Sequence, residues 1–513
     1  MSMRWSDILL VPALALGLSA CATSSLDLAP PAPDRPWQPA TNQDGEIVAG
    51  AAATAAAGQA GYVLPANRAL AMLPPAPAGL DAGRAYALPD LIDLAESSNP
   101  DTRIAWDEAR RAALAEGIAR SAYLPQLAAS ALEGRQHGHA RDAVSGLGAD
   151  GSDSAHGTIS VLSVQWLLFD FGERSALVEA ARQVSVASNI AFTAAHQQVI
   201  HAVSTAFYAH AAAQARARTA VQALDNARQV EAAAQARYRQ GIGTVVEVAQ
   251  ARQATAAAEL ARVQAQGGAR DAYVALLTAV GVPPTSELRI AELAERKLSL
   301  DLARPLDDMI AAALSRRPDV LGAYAAMKAS QANVRAARAE SRPKLFLAAT
   351  GSYGHGDLDV AALPAAGQQP PTVNVGGHHF GSTVFLGVTM PLYDGGTRSA
   401  MLARAQAASD SAGARLAQVR DEAARQVAVA DNALRTSLAA CDAAEALVQA
   451  AGITFDAALA AYRRGVGTLT DVTLAQSQWL QARNARSDAR SQALTAAATL
   501  ALVTGSLGAA PAW

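Results

Sequence analysis

The chain has 513 residues, of which 51% are hydrophobic, 17% charged and only 5% aromatic. A formal net charge of −3 leaves no electrostatic footprint for nucleic acid. Beyond the N-terminus no apolar span of about 20 residues stands out, so a membrane role would rest on strands or on lipid.

At the N-terminus Arg4 precedes an apolar stretch, Ile8 to Leu18, that ends in Leu18-Ser19-Ala20-Cys21. Residues 1–20 read as a secretory signal whose apolar core is too short to span a bilayer. Its last four residues resemble a bacterial lipobox, which would make Cys21 the acylated, palmitate-bearing first residue of the mature chain. Ala22, in place of Asp, would then permit export to the outer membrane. An ordinary signal with an incidental cysteine is the plainer alternative. Residues 21–85 are rich in Pro, Ala and Gly and keep no period, as expected of an extended segment laid along a surface. The second cysteine, Cys441, falls inside a long helix and reads as a small buried residue.

From Glu173 to Gln240 run 68 residues with neither Gly nor Pro. The spacing predicts a single helix roughly 100 Å long, which needs partners of similar length. The run recurs from Thr397 to Arg464, broken by no Pro, and its flanks recur with it. Leu168-Phe169-Asp170-Phe171-Gly172 is answered by Leu392-Tyr393-Asp394-Gly395-Gly396. Tyr238-Arg239-Gln240-Gly241-Ile242-Gly243-Thr244 is answered by Tyr462-Arg463-Arg464-Gly465-Val466-Gly467-Thr468. Upstream, Asn99-Pro100-Asp101 matches Arg317-Pro318-Asp319. One unit, over residues 86–290 and again over 298–508, is written twice.

Within a unit, Leu88 to Tyr123 has helical spacing, with a fresh turn expected at Pro100 after Asn99. Strands follow at Gln126–Glu133 and Thr158–Leu168, separated by a stretch dense in His, Gly, Asp and Ser. In the second unit Leu345, Leu347, Ala349, Gly351 and Tyr353 alternate with Phe346, Ala348, Thr350 and Ser352. Val384, Leu386, Val388, Met390 and Leu392 alternate in the same way. This is period-2 patterning of transmembrane-strand length. Four strands cannot close round a lumen, and an open edge is untenable in lipid, so the strands must be pooled between chains. A small sheet in a soluble protein is the alternative, against which stand the lipobox and the girdle-like Trp166, Phe169 and Tyr393. The shorter helices, Thr244 to about Val280 and Leu306 to about Arg342, are each about half a long run. Stacked end to end they complete a wall of antiparallel helices. The fold expected is thus α+β: a pooled outer-membrane β-barrel continuous with an α-helical barrel, with an internal two-fold repeat.

At the far tips, Gly241, Gly243, Gly465 and Gly467 supply the turn, and Thr244 and Thr468 cap the return helices. Glu247 and Asp471 sit in the first helical turn, where the dipole favours a carboxylate. Capping alone accounts for both acids. In an oligomer they would also form an acidic ring at the narrow end, selecting cations and latching the opening.

The doubled architecture, Leu392-Tyr393-Asp394-Gly395-Gly396 and Tyr462 to Val472 together resemble the TolC-like outer-membrane efflux protein family, in its lipoprotein branch. The resemblance covers about 86 to 508. It implies a homotrimer with a twelve-stranded barrel and a periplasmic helical tunnel, serving as the exit duct of a tripartite pump. The partners implied are an inner-membrane transporter and a periplasmic adaptor; no cofactor is implied. By position, Asp471 matches the acid of the family's periplasmic constriction and Tyr462 a tyrosine of its closing network. Gly467 stands where some members carry an arginine of that network, and Leu474 where a second acid occurs. A latch from position 467 is therefore excluded, and Arg463 or Arg464 would have to substitute.

No phosphate loop, Cys/His metal spacing or nucleophile elbow points to an enzyme. His137, His139, His156, His355, His378 and His379 fall in expected loops, where solvated residues are the simpler reading. The sequence favours an efflux duct over a structural envelope protein or a coiled-coil scaffold. The outer-membrane component of an ABC-driven protein secretion system is the alternative within the same class.

Overall fold

The structure is a computed structural model that describes residues 29–30, 32–34, 36–37, 39–48, 62–72, 77, 80–81, 83–140, 151–293, 305–356 and 380–508. The signal segment, Cys21 and the His378-His379 pair lie outside the described residues. The chain divides into two compact units, Met1–Leu80 and Asp81–Trp513. In the first, the Asn42 carboxamide oxygen accepts the amides of Asp44 and Glu46 and closes a small turn bridged by Thr41 and Ile47.

The second unit holds the architecture. Its elements are β1 (Ala85–Tyr86), α1 (Leu88–Ser98), α2 (Pro100–Ser121), β2 (Gln126–Ala140), β3 (Gly151–Phe169), α3 (Glu173–Arg239) and α4 (Val245–Val280). They continue with β4 (Arg289–Ile290), α5 (Leu306–Arg316), α6 (Pro318–Ala339), β5 (Lys344–Gly356), β6 (Gly381–Thr389), α7 (Thr397–Arg463) and α8 (Leu469–Val503). The two long helices, α3 and α7, are free of proline and each run 67 residues.

Pro100 and Pro318 each stand at the first position of a helix, where the missing amide costs nothing. Each also forces the residue before it out of the helical region. Arg317 has ψ 129°, so the single helix expected from Leu306 to about Arg342 is two, α5 and α6. At both breaks the chain ties itself to the end of a return helix. The Asn99 carboxamide donates to the Ala279 carbonyl (3.1 Å) and the Ser98 hydroxyl to that of Val280 (3.3 Å). The Arg317 guanidinium donates to the Val503 carbonyl (3.1 Å). So α2 and α4 meet end to end along α3, and α6 and α8 along α7. Helix α3 also packs on α6 and α8, joining the two halves. Interior contacts are dominated by Ala with Val and Leu, which lets long helices approach closely.

The large sheet has the order β2-β3-β5-β6, all antiparallel. Its register aligns side chains in rows across all four strands. Leu127, Val164, Ala349 and Val384 form one row; Gln126, Gln165, Ala348 and Phe385 form the next, on the opposite face. One face is thus apolar through these rows, while the other mixes Gln126, Ser163, Gln165, Thr350 and Thr383 with Ile159, Val161, Phe346 and Phe385. The apolar face is bare in the single chain: Val384, Leu386 and Val388 are 67–69% exposed. A short parallel pair, β1 with β4, lies apart from this sheet.

Two expectations need correction. The first hairpin is longer than its pattern predicts, because pairing continues from Gly134↔Gly157 to Ala140↔Gly151. His137 and His139 therefore lie in β2, His156 in β3 and His355 in β5 rather than in loops. Among the described residues one helix, α7, is also long and apolar enough to cross a membrane, with a mean hydropathy of 1.3 over its best window. Alanines supply much of that apolarity, and the helix packs against α5, α6 and α8.

Sheet meets helices at an aspartate followed two residues later by glycine. The Asp170 carboxylate accepts the amides of Gly172 and Arg174, and Asp394 those of Gly396 and Arg398, so each aspartate opens its long helix. Between them the backbone turns left-handed: Phe171 has φ 53° where the second unit has Gly395 at 65°. Arg174, itself buried, pairs with Asp170 (2.8 Å) and donates to the carbonyls of Ala122, Leu167 and Leu168. Lys344 at the start of β5 reaches Glu173 (2.6 Å), and the Trp166 indole donates to the Tyr123 carbonyl (2.9 Å).

Candidate functional site: the paired turns at the helix ends

Both turns between a long helix and its return helix are built alike. Gly241 and Gly465 have φ 75° and 82°, the left-handed conformation that ends a helix and that a side chain would strain. Gly243 and Gly467 serve otherwise, by closeness. A Cβ at Gly243 would lie 3.0 Å from the Tyr238 amide, and one at Gly467 3.0 Å from the Ala461 Cβ. Thr244 and Thr468 then cap α4 and α8 in reciprocal boxes. The Thr244 hydroxyl accepts the Glu247 amide (3.2 Å) while Glu247 Oε2 accepts the Thr244 amide (3.0 Å). Thr468 and Asp471 repeat the pair at 3.2 Å each way, with the Thr468 hydroxyl also donating to Asp471 Oδ2 (2.6 Å). That hydroxyl bond, with the Thr468 amide behind it, holds the Asp471 carboxyl below its ordinary value of 3.8, so it stays charged at neutral pH.

The two turns differ in one respect. Tyr238 is half exposed, whereas Tyr462 is fully buried within a cluster of Val230, Val248, Phe455, Leu469 and Val472 drawn from all four helices. Over its ring lies the guanidinium of Arg237, 4.9 Å from the centroid, which donates to the Tyr462 carbonyl (3.1 Å). The Tyr462 hydroxyl and Arg237 Nε are both buried without a hydrogen-bond partner. Burial, with the Glu247 charge nearby, pushes the phenol above its ordinary 10.0 despite the pull of Arg237.

Tyr462, Arg237 and Glu247 thus come together, whereas Asp471 and Leu474 stand exposed on the first turns of α8, three residues apart and so on one helical face. Arg463 reaches Gln229 (3.0 Å) on α3. The residue that engages Tyr462 is Arg237, which sequence reasoning missed. Its signal was an asymmetry, since the position corresponding to Arg237 in the second turn is Ala461.

A sheet with one bare apolar face, mounted on helices of about 100 Å that end in paired acidic turns, defines a channel-forming outer-membrane protein. The chain belongs to the outer membrane efflux protein family, whose model matches residues 91–282 and 309–506. It is 30% identical to Protein CyaE of Bordetella pertussis, over 85% of this chain and 87% of that one. It is 27% identical to outer membrane protein OprJ of Pseudomonas aeruginosa, over 73% and 75%. Its fold is that of the Campylobacter jejuni CmeC outer membrane channel, with a TM-score of 0.70 and 19% identity over 82% of this chain and 85% of that one. The chain is an outer-membrane efflux channel of the Gram-negative envelope, with helices that extend into the periplasm.

Proposed function

We propose that three copies pool their four strands into one twelve-stranded barrel, and that their helices form a tunnel below it. The observation that carries this is the four-stranded sheet. Among the described residues β2 pairs only with β3 and β6 only with β5, so both edges are open while the apolar face is bare. Such edges are untenable in hydrocarbon until another chain closes them. Residues 86–290 and 298–508 are two copies of one ancestral unit, each supplying two strands. The duct serves an inner-membrane pump through a periplasmic adaptor, and Cys21 carries the lipid anchor. At the narrow end Asp471, Leu474, Glu247 and Tyr462 form the constriction, pivoting on Gly241, Gly243, Thr244, Gly465, Gly467 and Thr468. The arrangement provides for conduction of cargo selected upstream.

The test is the molar mass of the protein purified from outer membranes, by light scattering with detergent correction. A trimer with mixed helix and strand circular dichroism is expected. A monomer that is soluble without detergent would overturn the pooled barrel.

A further inference from the structure

Where α4 and α8 both pack on the middle of α3, a cavity of about 510 Å³ lies beside the segment 288–293. That volume falls within the roughly 300–1,000 Å³ typical of small-molecule sites. The cavity has two chemically unlike ends. At one, Phe207, Tyr208 and His210 of α3 meet Tyr273 of α4, whose ring centroid stands 5.7 Å from that of the imidazole. The Tyr273 hydroxyl accepts the Leu288 amide (2.7 Å) and donates toward the carbonyls of Ser286 and Leu288 (3.1 Å each), which fixes that segment against the rings. At the other end, Arg218 of α3 and Arg486 of α8 line the wall with Glu292. Eight residues of helix separate His210 from Arg218, about 12 Å along the axis. Helix α8 runs antiparallel to α3, as the contacts Arg216–Asp488 (3.1 Å) and His201–Thr499 (3.0 Å) show, so Arg486 falls at the level of Arg218.

The internal repeat shows that helix packing does not require this cavity. The positions of α7 and α8 that correspond to His210, Gln214 and Tyr273 carry Leu434, Leu438 and Ala497. There they close with Ala430, Ala493 and Leu500 into an apolar cluster. In the first unit the same places present an imidazole, a carboxamide and a phenol to the cavity. His210 is only 6% exposed, and its Nδ1 is buried without a hydrogen-bond partner among the described residues. A leucine there would avoid that cost. Burial pushes the imidazole below its ordinary 6.5, so the ring is neutral at pH 7.

The two ends ask for two different groups on one ligand. Aromatic side chains favour a flat ring, through burial and through offset or edge contacts. Guanidinium groups are planar forks that match a carboxylate. Arg218 pairs with Glu292 (2.9 Å) and Arg486 with Glu445 (2.5 Å), both at solvent-accessible positions. Ion pairs in such positions are weak, so a ligand carboxylate can join or exchange with them. Three arginines, Arg490 being the third, stand against one acid among the lining residues, which disfavours a cationic ligand.

We propose that this cavity binds a small aromatic carboxylic acid, its ring beside Tyr208, His210 and Tyr273 and its carboxylate at Arg218 and Arg486. The site is built within one chain and shares no residue with the turns at the helix ends.

The experiment uses the full-length, untagged protein in detergent, titrated calorimetrically with indole-3-acetate and with 4-hydroxybenzoate. Saturable binding at one site per chain is expected. It should be at least tenfold weaker for indole-3-acetamide, which keeps the ring and loses the charge, and for acetate, which does the reverse. Arg218→Gln/Arg486→Gln should weaken binding of the acids tenfold or more and leave that of the amide unchanged. Ala215→Trp, which fills the cavity from α3, should abolish binding of acid and amide alike. Circular dichroism and molar mass establish that each variant is folded. A second measurement needs no variant: indole-3-acetate should slow hydrogen exchange in residues 286–293 of the parent protein. The proposal is overturned by the absence of saturable binding of both acids, by an amide that binds as tightly as its acid, or by parental affinity in either variant. Protection confined to other segments overturns it as well.

Discussion

Replacing Arg174 by methionine removes a guanidinium that pairs with buried Asp170 and satisfies three carbonyls where the sheet joins α3. Methionine keeps much of the packing but none of the donors. Breaking a buried ion pair from one side typically costs about 3–5 kcal/mol, because the partner's charge remains. Here Asp170 retains two amide donors, which favours the lower half of that range. At about 1.4 kcal/mol per factor of ten, local protection should fall roughly a hundredfold or more. The corresponding Arg398 supplies the internal control. Its side chain pairs with Asp394 (2.8 Å), a carboxylate more open to solvent, and takes no carbonyl in the described contacts. Arg398→Met should therefore change protection less than about tenfold. The assay is hydrogen exchange with mass spectrometry on peptides spanning 166–176 and 390–400. Equal losses at the two junctions would refute the reasoning, as would a loss under tenfold at the first.

Other outcomes follow from single contacts. Tyr462→Phe removes a buried hydroxyl that has no partner, so resistance of the turns to protease should hold or rise by up to about 1 kcal/mol; a clear loss would mean the hydroxyl is bonded in the assembly. Burial would raise the Asp170 pKa, but the Arg174 amide and guanidinium together hold it below 3.8. A depressed carboxylate stabilises the fold above its unfolded value and loses that contribution only as pH falls through the folded one. Pepsin cleavage near Phe169 should therefore quicken only once pH is below 3.8, and quickening at milder acidity would contradict this. Asp471→Asn with Glu247→Gln should reduce cation preference in planar-bilayer recordings, and unchanged selectivity would remove both acids from the constriction. Gly281→Ala strains a residue at φ 84° and drives a Cβ to 2.8 Å from the Asn99 Cα, so thermal denaturation should show a loss of about 2 kcal/mol or more.

Much of this was legible in the chain because single residue types decided it. Unbroken runs without proline specified α3 and α7, and alternation at Leu345–Tyr353 and Val384–Val388 specified β5 and β6. Pro318 marks a break that helical periodicity had bridged: the proline fits a first turn, yet its ring displaces Arg317. The outer parts of β2 and β3 were illegible for another reason. Arg135 to Ala140 is polar on both faces and carries a glycine, so nothing local distinguishes it from a loop; pairing with a distant stretch makes it a strand. Arg237 was hidden by the tyrosine beside it, since the repeat directs attention to Tyr238 and Tyr462, whereas the contact lies between unlike positions.

The unequal strand lengths of the sheet bear on where the bilayer would sit around the proposed barrel. β6 has nine residues, about 31 Å along its axis, which a tilt near 40° reduces to about 24 Å, close to the roughly 25 Å apolar band of outer-membrane barrels. β2 has 15 residues and β3 has 19. In the pooled barrel proposed above, each β2 would be sealed by the β6 of the next copy only as far as β6 reaches. Above that level its outward amides and carbonyls need water. On that proposal the shortest strand would set the waterline, and the first hairpin would stand clear of it as a parapet around the mouth. Lengthening that parapet would leave the seating of the channel unchanged, whereas adding or deleting a pair of residues in β6 would shift every seam of the proposed barrel relative to the lipid.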